Sequence, residues 1–231
     1  SGADINDIEA IVLSQLHPDN SVDLPAYLSG AIAEGRTQTL TVLGPDNGST
    51  RFIDTKTFVK RMIGNEGVFP QLAGLLPPSR NGSFRLKTTN VPAAGSRKWA
   101  RYRSPNVHLL AVPVQHGEIA TIAWRVEIGG RVIVFAGDFN NDKNIIGSFA
   151  AGADALVASH SIAEVSRGTL RDAFALPSEL GKVAAAAEAR MLILAHRTNR
   201  TRGRESLSRA AIEKSYSGSV LFANDGECWG L

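Results

Sequence analysis

The first residue types able to do chemistry stand near the start of the chain, in SQLHPDNSVDLP at residues 14–25. His17 and Asp19 lie two apart there, just after the apolar run Ile11-Val12-Leu13. Such a run reads as a buried strand. Both side chains then leave a strand end into a polar loop, where they can converge on a metal. Imidazole and carboxylate are good ligands for zinc and similar ions. Taken alone, the His-x-Asp spacing fits a surface loop equally well. His116 follows an apolar run at 109–114, Asp138 one at 131–135 and His196 one at 191–194. His160, after residues 155–158, reads as a hydrogen-bonded loop residue.

The elements that must position these groups alternate between the two classes. Residues 4–7 read as a turn before the first strand. A helix is expected over 23–33, opened by Asp23 and Pro25. A strand over 39–43 leads into a turn at Gly44-Pro45-Asp46-Asn47-Gly48, and a helix follows over 55–63. Residues 68–80, rich in Pro and Gly, give no clear element and suit part of a cleft lid. Short strands are expected within 83–111, then strands over 109–114, 121–127 and 131–135, the last two joined by a hairpin turn at Gly129-Gly130. Helices are expected over 143–151, 177–189 and 206–215, with strands over 155–158, 191–194 and 218–223. Arg97, Lys98, Arg101 and Arg103 interleave with Trp99 and Tyr102. That pattern can stack on nucleic acid, but it also describes the solvated face of a hairpin.

The stretch at 14–25 resembles the metallo-β-lactamase superfamily, in which a strand ends in Thr/Ser-His-x-His-x-Asp-His and often continues into Asp-Leu-Pro. Ser14, His17, Asp19, Asp23, Leu24 and Pro25 match. Gln15 and Asn20 stand where that pattern has histidines. The run VLGPDNG at 42–48 and the SVDLP continuation are similar to the ribonuclease Z/arylsulfatase-like branch. The resemblance implies an α/β fold, the αββα sandwich, lacking its N-terminal strands in this chain. It covers residues 1–231 as a single domain and implies a separate N-terminal fragment of the same precursor as partner. Self-cleavage with Ser1 as nucleophile is one expected origin of such a fragment. Cleavage by another protease is the alternative.

The resemblance also implies a ligand set. One metal would lie on the positions of Gln15, His17 and His116. The other would lie on those of Asp19, Asn20 and His196, with Asp138 bridging. Two metals would activate a shared water for attack on a small ester, phosphodiester or sulfate, with Asp19 and Asp138 as catalytic carboxylates. An amide is a weaker donor to zinc than imidazole, so the expectation is one zinc or none rather than two. In the metal-free alternative, protonated histidines pair with Asp19 and Asp138, and the chain is a pseudoenzyme or binding module.

Composition bounds these readings. The chain has 231 residues, 43% hydrophobic and 20% charged, enough for a domain with a large core. A net charge of +3 is too mild to argue for nucleic acid by itself. The lone Cys228 excludes an internal disulfide and argues against a cysteine metal site. No apolar run approaches the roughly 20 residues of a membrane span. No signal peptide is expected in the numbered chain, and the compartment, bacterial periplasm or cytoplasm, stays open.

Overall fold

A computed structural model describes residues 4–79 and 82–230. The chain divides into two compact units, the first running to Pro92 and the second starting at Ala93. Ser1, expected as the nucleophile of self-cleavage, lies outside the described residues, as does Arg80 at the end of the expected lid.

The first unit holds a three-stranded parallel sheet of β1 (Ala10–Val12), β2 (Leu40–Pro45) and β3 (Leu86–Val91), with β2 in the middle. Every residue of β2 is buried, as a continuous apolar run in a parallel sheet requires. Helices α1 (Pro18–Ser21), α2 (Leu24–Ala33) and α3 (Thr55–Ile63) follow the strands. The expected turn at Gly44-Pro45 is instead the end of β2, paired with Asn90 and Val91. A Cβ on Gly44 would come within 2.5 Å of Thr55 Oγ1, so glycine lets α3 approach the strand there. The start of α3 is fixed by Asp54, whose carboxylate accepts a 2.7 Å bond from Thr57 N–H. That bond draws the Asp54 pKa down. Asp23 makes no such cap on α2. The expected lid segment contains a 3-10 helix, Pro70–Leu75, whose Leu72 and Leu75 are buried in this unit's core with Val59 and Ile63. Apolar side chains at that spacing pull the segment inward.

Arg36 joins the start of this unit to its second strand. The residue is 3% exposed. All five N–H groups find carbonyls: Nε to Gln38, Nη1 to Ile5 and Asn6, Nη2 to Ile8 and Thr39. A buried cation is tolerated when each donor is met.

The second unit is a seven-stranded sheet in the order β10-β9-β8-β7-β6-β5-β4. Its strands are β4 (Trp99–Arg103), β5 (Val107–His116), β6 (Ile119–Ile128), β7 (Arg131–Phe135), β8 (Ala155–Ser159), β9 (Met191–Ala195) and β10 (Ser219–Phe222). Neighbours from β4 to β7 are antiparallel, and those from β7 to β10 parallel. Gly129 and Gly130, with φ of 57° and 74°, make the expected hairpin turn. Helices α4 (Ile146–Phe149), α5 (Leu170–Ala173), α6 (Pro177–Ala186) and α7 (Glu205–Ile212) complete the unit. Val134, Leu156, Leu192 and Val220 form one core with Phe149, Leu180, Val183 and Ala184. The helix expected over 143–151 shrinks to α4, because Asn141 and Asn144 have φ of 67° and 46° and break it. The end of α6 falls before Glu188, with φ of 50°. Trp99 of the basic-aromatic run is core, edge-on to Trp124 at 6.0 Å, while Arg101 and Arg103 face solvent.

The strand directions decide what shares an edge. Since β5 and β7 each run antiparallel to β6, β5 points the same way as β7 to β10. The carboxyl ends of β5, β7, β8, β9 and β10 therefore line one edge of the sheet. His116, Asp138, His160, His196 and Asn224 sit at those ends in turn.

The Arg36 clamp makes a prediction. Arg36→Ala should destabilise the protein by about 2–4 kcal/mol, read from the urea midpoint. Arg36→Lys should recover little, because three donors cannot meet five acceptors. A midpoint unchanged in both variants would show that the clamp contributes nothing.

Candidate functional site in the second unit

In the first unit, the loop after β1 carries Gln15, His17, Asp19 and Asn20. Gln15 is wholly buried. His17 precedes α1, with Pro18 in its first turn, and its carbonyl accepts from Ser21 Oγ at 2.9 Å. Asp19 is exposed. The side-chain nitrogen of Asn20 is buried without a hydrogen-bond partner among the described residues, a costly state for an amide.

The second unit brings His116, Asp138 and His196 together. His116 Nε2 and His196 Nε2 lie 4.0 and 3.9 Å from the same oxygen, Oδ2 of Asp138. The side chains of His116 and Asp138 are 5% exposed, and that of His196 31%. His116 Nδ1 is 2.8 Å from the carbonyl of Ala173. A carbonyl only accepts, so Nδ1 carries the proton and Nε2 is turned to Asp138. Phe174 packs edge-on to the ring at 5.0 Å. The same strap accepts from Gly117 N–H and Asn140 Nδ2 through the Asp172 carbonyl. Asn140 in turn ties the loop after β7 to the end of β5 by donating its N–H to Gln115 at 2.9 Å.

His196 has φ of 51°, uncommon for a non-glycine residue and a mark of a constrained position. Its carbonyl accepts from Ser161 Oγ at 3.1 Å, which tethers it to the end of β8. His160 does not join the trio. It is 1% exposed and bonds Ser208 Oγ through Nε2 at 2.8 Å, as its reading as a hydrogen-bonded loop residue requires. Burial pushes its pKa down to about 4, with Glu205 opposing the shift and Arg197 adding to it.

Contacts of 3.9–4.0 Å exceed a hydrogen bond, about 2.7–3.2 Å. Two donors on one zinc, each about 2.0–2.2 Å from it, reach such separations only when nearly in line. Among the described residues no group of three or more His, Cys, Asp or Glu is placed to hold a metal ion. In the first unit's loop, Gln15 and Asn20 offer amide donors, which are weaker toward zinc than imidazole.

The strap around Ala173 and the tether from Ser161 were not readable from sequence. A backbone carbonyl carries no residue-type signal, and Ser161 is an ordinary serine until the fold places it. The run of arginines after His196 is visible in the sequence, but local composition does not say which of them the fold leaves exposed.

The fold is that of the metallo-β-lactamase class. A family model described as "Beta-lactamase superfamily domain" matches residues 1–197, and the chain belongs to that hydrolase-type family. The structure is similar to the metallo-beta-lactamase fold protein YhfI from Bacillus subtilis, with a TM-score of 0.72 and 19% identity, covering 99% of this chain and 79% of that one. It is also similar to human tRNase Z, short form, with a TM-score of 0.64 and 16% identity over 97% of this chain and 80% of that one. A third likeness is to Zn(2+)-bound PqqB from Methylobacterium extorquens, with a TM-score of 0.60 and 17% identity over 97% and 73%. No curated protein matches the chain. Among the described residues no helix is long and apolar enough to cross a membrane.

The buried His160 gives a pH prediction. Its folded pKa, about 4, lies below the unfolded value of about 6.5. The unfolded chain thus takes up a proton first, and stability falls as pH drops through this window. Between pH 7 and 4.5 the group should cost about 2 kcal/mol. Urea midpoints should fall less over that range in His160→Gln than in the natural chain. Equal losses would show that His160 is not the group responsible.

Proposed function

We propose that the chain is a metallo-β-lactamase-fold hydrolase-like protein with an impaired metal site, taking a small ester, phosphodiester or sulfate. The observation that carries this reading is the pair of amides, Gln15 and Asn20, at positions where the family's pattern has ligand histidines, while His116, Asp138 and His196 come together in the second unit. In this reading His116 is held in one tautomer by Ala173 and directs Nε2 at Asp138. Asp138 is the carboxylate that takes a proton from an attacking water. His196, the more exposed imidazole, is the one a substrate meets. Asp19 and His17 belong to the same proposal as the acidic and imidazole residues of the first unit's loop. The expected zinc, one or none, is a matter for measurement.

A second reading, a metal-free binding module without turnover, is favoured by the lack of any three-donor group among the described residues. The expected N-terminal partner is retained as part of the proposal. Intact masses of all polypeptides in a preparation check that partner, and a single species counts against it.

The test of the site is metal content together with restoration. Protein purified without chelator should carry about one zinc or less per chain. Gln15→His with Asn20→His should raise bound zinc and increase phosphodiester hydrolysis by about tenfold or more. Asp138→Asn should remove that activity. Two tightly held zinc ions in the natural chain, with full activity lost on chelation, would overturn the impaired-site reading. No turnover in either form, with small-molecule binding retained, would favour the binding module.

A further inference from the structure

The eight residues that begin at Arg197 read RTNRTRGR, four arginines directly after His196. Their surroundings differ. Arg197 is engaged: Nη1 donates to Glu205 at 2.9 Å and Nη2 to Asn224 Oδ1. Arg200, Arg202 and Arg204 are exposed, and their side chains make no hydrogen bond or ion pair among the described residues. A guanidinium presents a planar fork of donors that matches the oxygens of phosphate, sulfate or carboxylate.

The loop that carries them is held in place. Thr201 is wholly buried, and its hydroxyl donates to the His160 carbonyl at 2.8 Å. Thr198 Oγ1 donates to the Ser161 carbonyl at 2.8 Å. The backbone closes on itself, with Arg202 N–H bonded to the Thr198 carbonyl and Arg204 N–H to that of Thr201. Gly203, at φ of 76°, turns the chain between the two arginines. Little entropy remains to be lost when such a loop takes a ligand.

A cavity of about 580 Å³ opens there, lined by His196, Arg197, Arg202, Asn224 and Asp225. That volume falls in the range of small-molecule pockets, about 300–1,000 Å³. Glu205 already neutralises Arg197, so Arg202 is the cation left to face a ligand in the cavity. Asp225 also lines it. Its carboxylate can accept from a ligand hydroxyl or a protonated oxyanion, and it opposes dense anions such as polyphosphate. Arg200 and Arg204 add positive charge to the same loop.

We infer that this cavity is an oxyanion subsite, in which Arg202 holds a phosphate or sulfate group of a small substrate beside His196. The inference rests on the hydrolase reading of the trio and narrows its substrates from esters in general to those bearing an anionic group. A neutral ester has nothing for Arg202 to hold.

Calorimetric titration of the full chain tests this with phenyl phosphate, phenyl sulfate and the neutral analogue phenyl acetate. Phenyl phosphate or phenyl sulfate should bind, and phenyl acetate should not. Which of the two binds more tightly identifies the oxyanion. Arg202→Ala should weaken binding by about tenfold or more, with Arg202→Lys intermediate. Its thermal midpoint should be unchanged, since the side chain is exposed. Equal affinity in Arg202→Ala, or equal binding of phenyl acetate, would overturn the subsite. Tighter binding of a single-stranded RNA oligonucleotide, lost in Arg200→Ala with Arg204→Ala, would replace it with a nucleic-acid surface. Arg202-dependent binding without hydrolysis would retain the subsite and sink the hydrolase reading. Hydrolysis indifferent to Arg202 would do the reverse.

Discussion

A buried carboxylate must be answered by something positive or by donated hydrogen bonds. Asp138 is that carboxylate in the second unit, and the arrangement around its Oδ2 depends on this demand. Two imidazoles turn their Nε2 atoms to one oxygen from the ends of β5 and β9. The proton on His116 Nδ1 is committed to Ala173. A protonated imidazole or a metal cation would answer the charge on Oδ2.

The sheet is what delivers these groups. A hairpin of two antiparallel steps brings β5 back to the direction of β7, and the parallel strands that follow keep that direction. Their carboxyl ends then share one edge, where strand gives way to loop. Ligand sites of open α/β sheets gather at such edges because side chains from several loops converge there. The cross-links among these loops are dense. Ser161 holds His196, Thr198 and Thr201 hold the ends of β8, and Asn140 holds the end of β5. Such ties fix side chains without drawing on the apolar core beneath.

Family membership and local chemistry pull in different directions here. The fold is similar to that of Zn(2+)-bound PqqB, while Gln15 and Asn20 stand where the resemblance expects imidazoles. Amides donate as well as accept, so a loop built with them is better suited to hydrogen bonding than to charge neutralisation of a metal. The arginine loop offers a different source of positive charge, fixed in the chain and placed beside His196.

By itself the sequence determined the kinds of donor, their order along the chain and the strand ends that carry them. His116, Asp138 and His196 were legible through the family resemblance, each at the end of an apolar run, and α3 and β7 were legible to the residue. It misjudged Gly44-Pro45, which pair as strand against β3, and residues 70–75, whose leucines are drawn into a core that local composition does not reveal. Only the tertiary structure decided the tautomer of His116, the left-handed backbone of His196, the burial of His160 and Arg36, and which arginines remain unpaired. The reason is separation along the chain. The bond that orients His116 joins residues 57 apart, and no local pattern of residue types records a contact with a distant carbonyl.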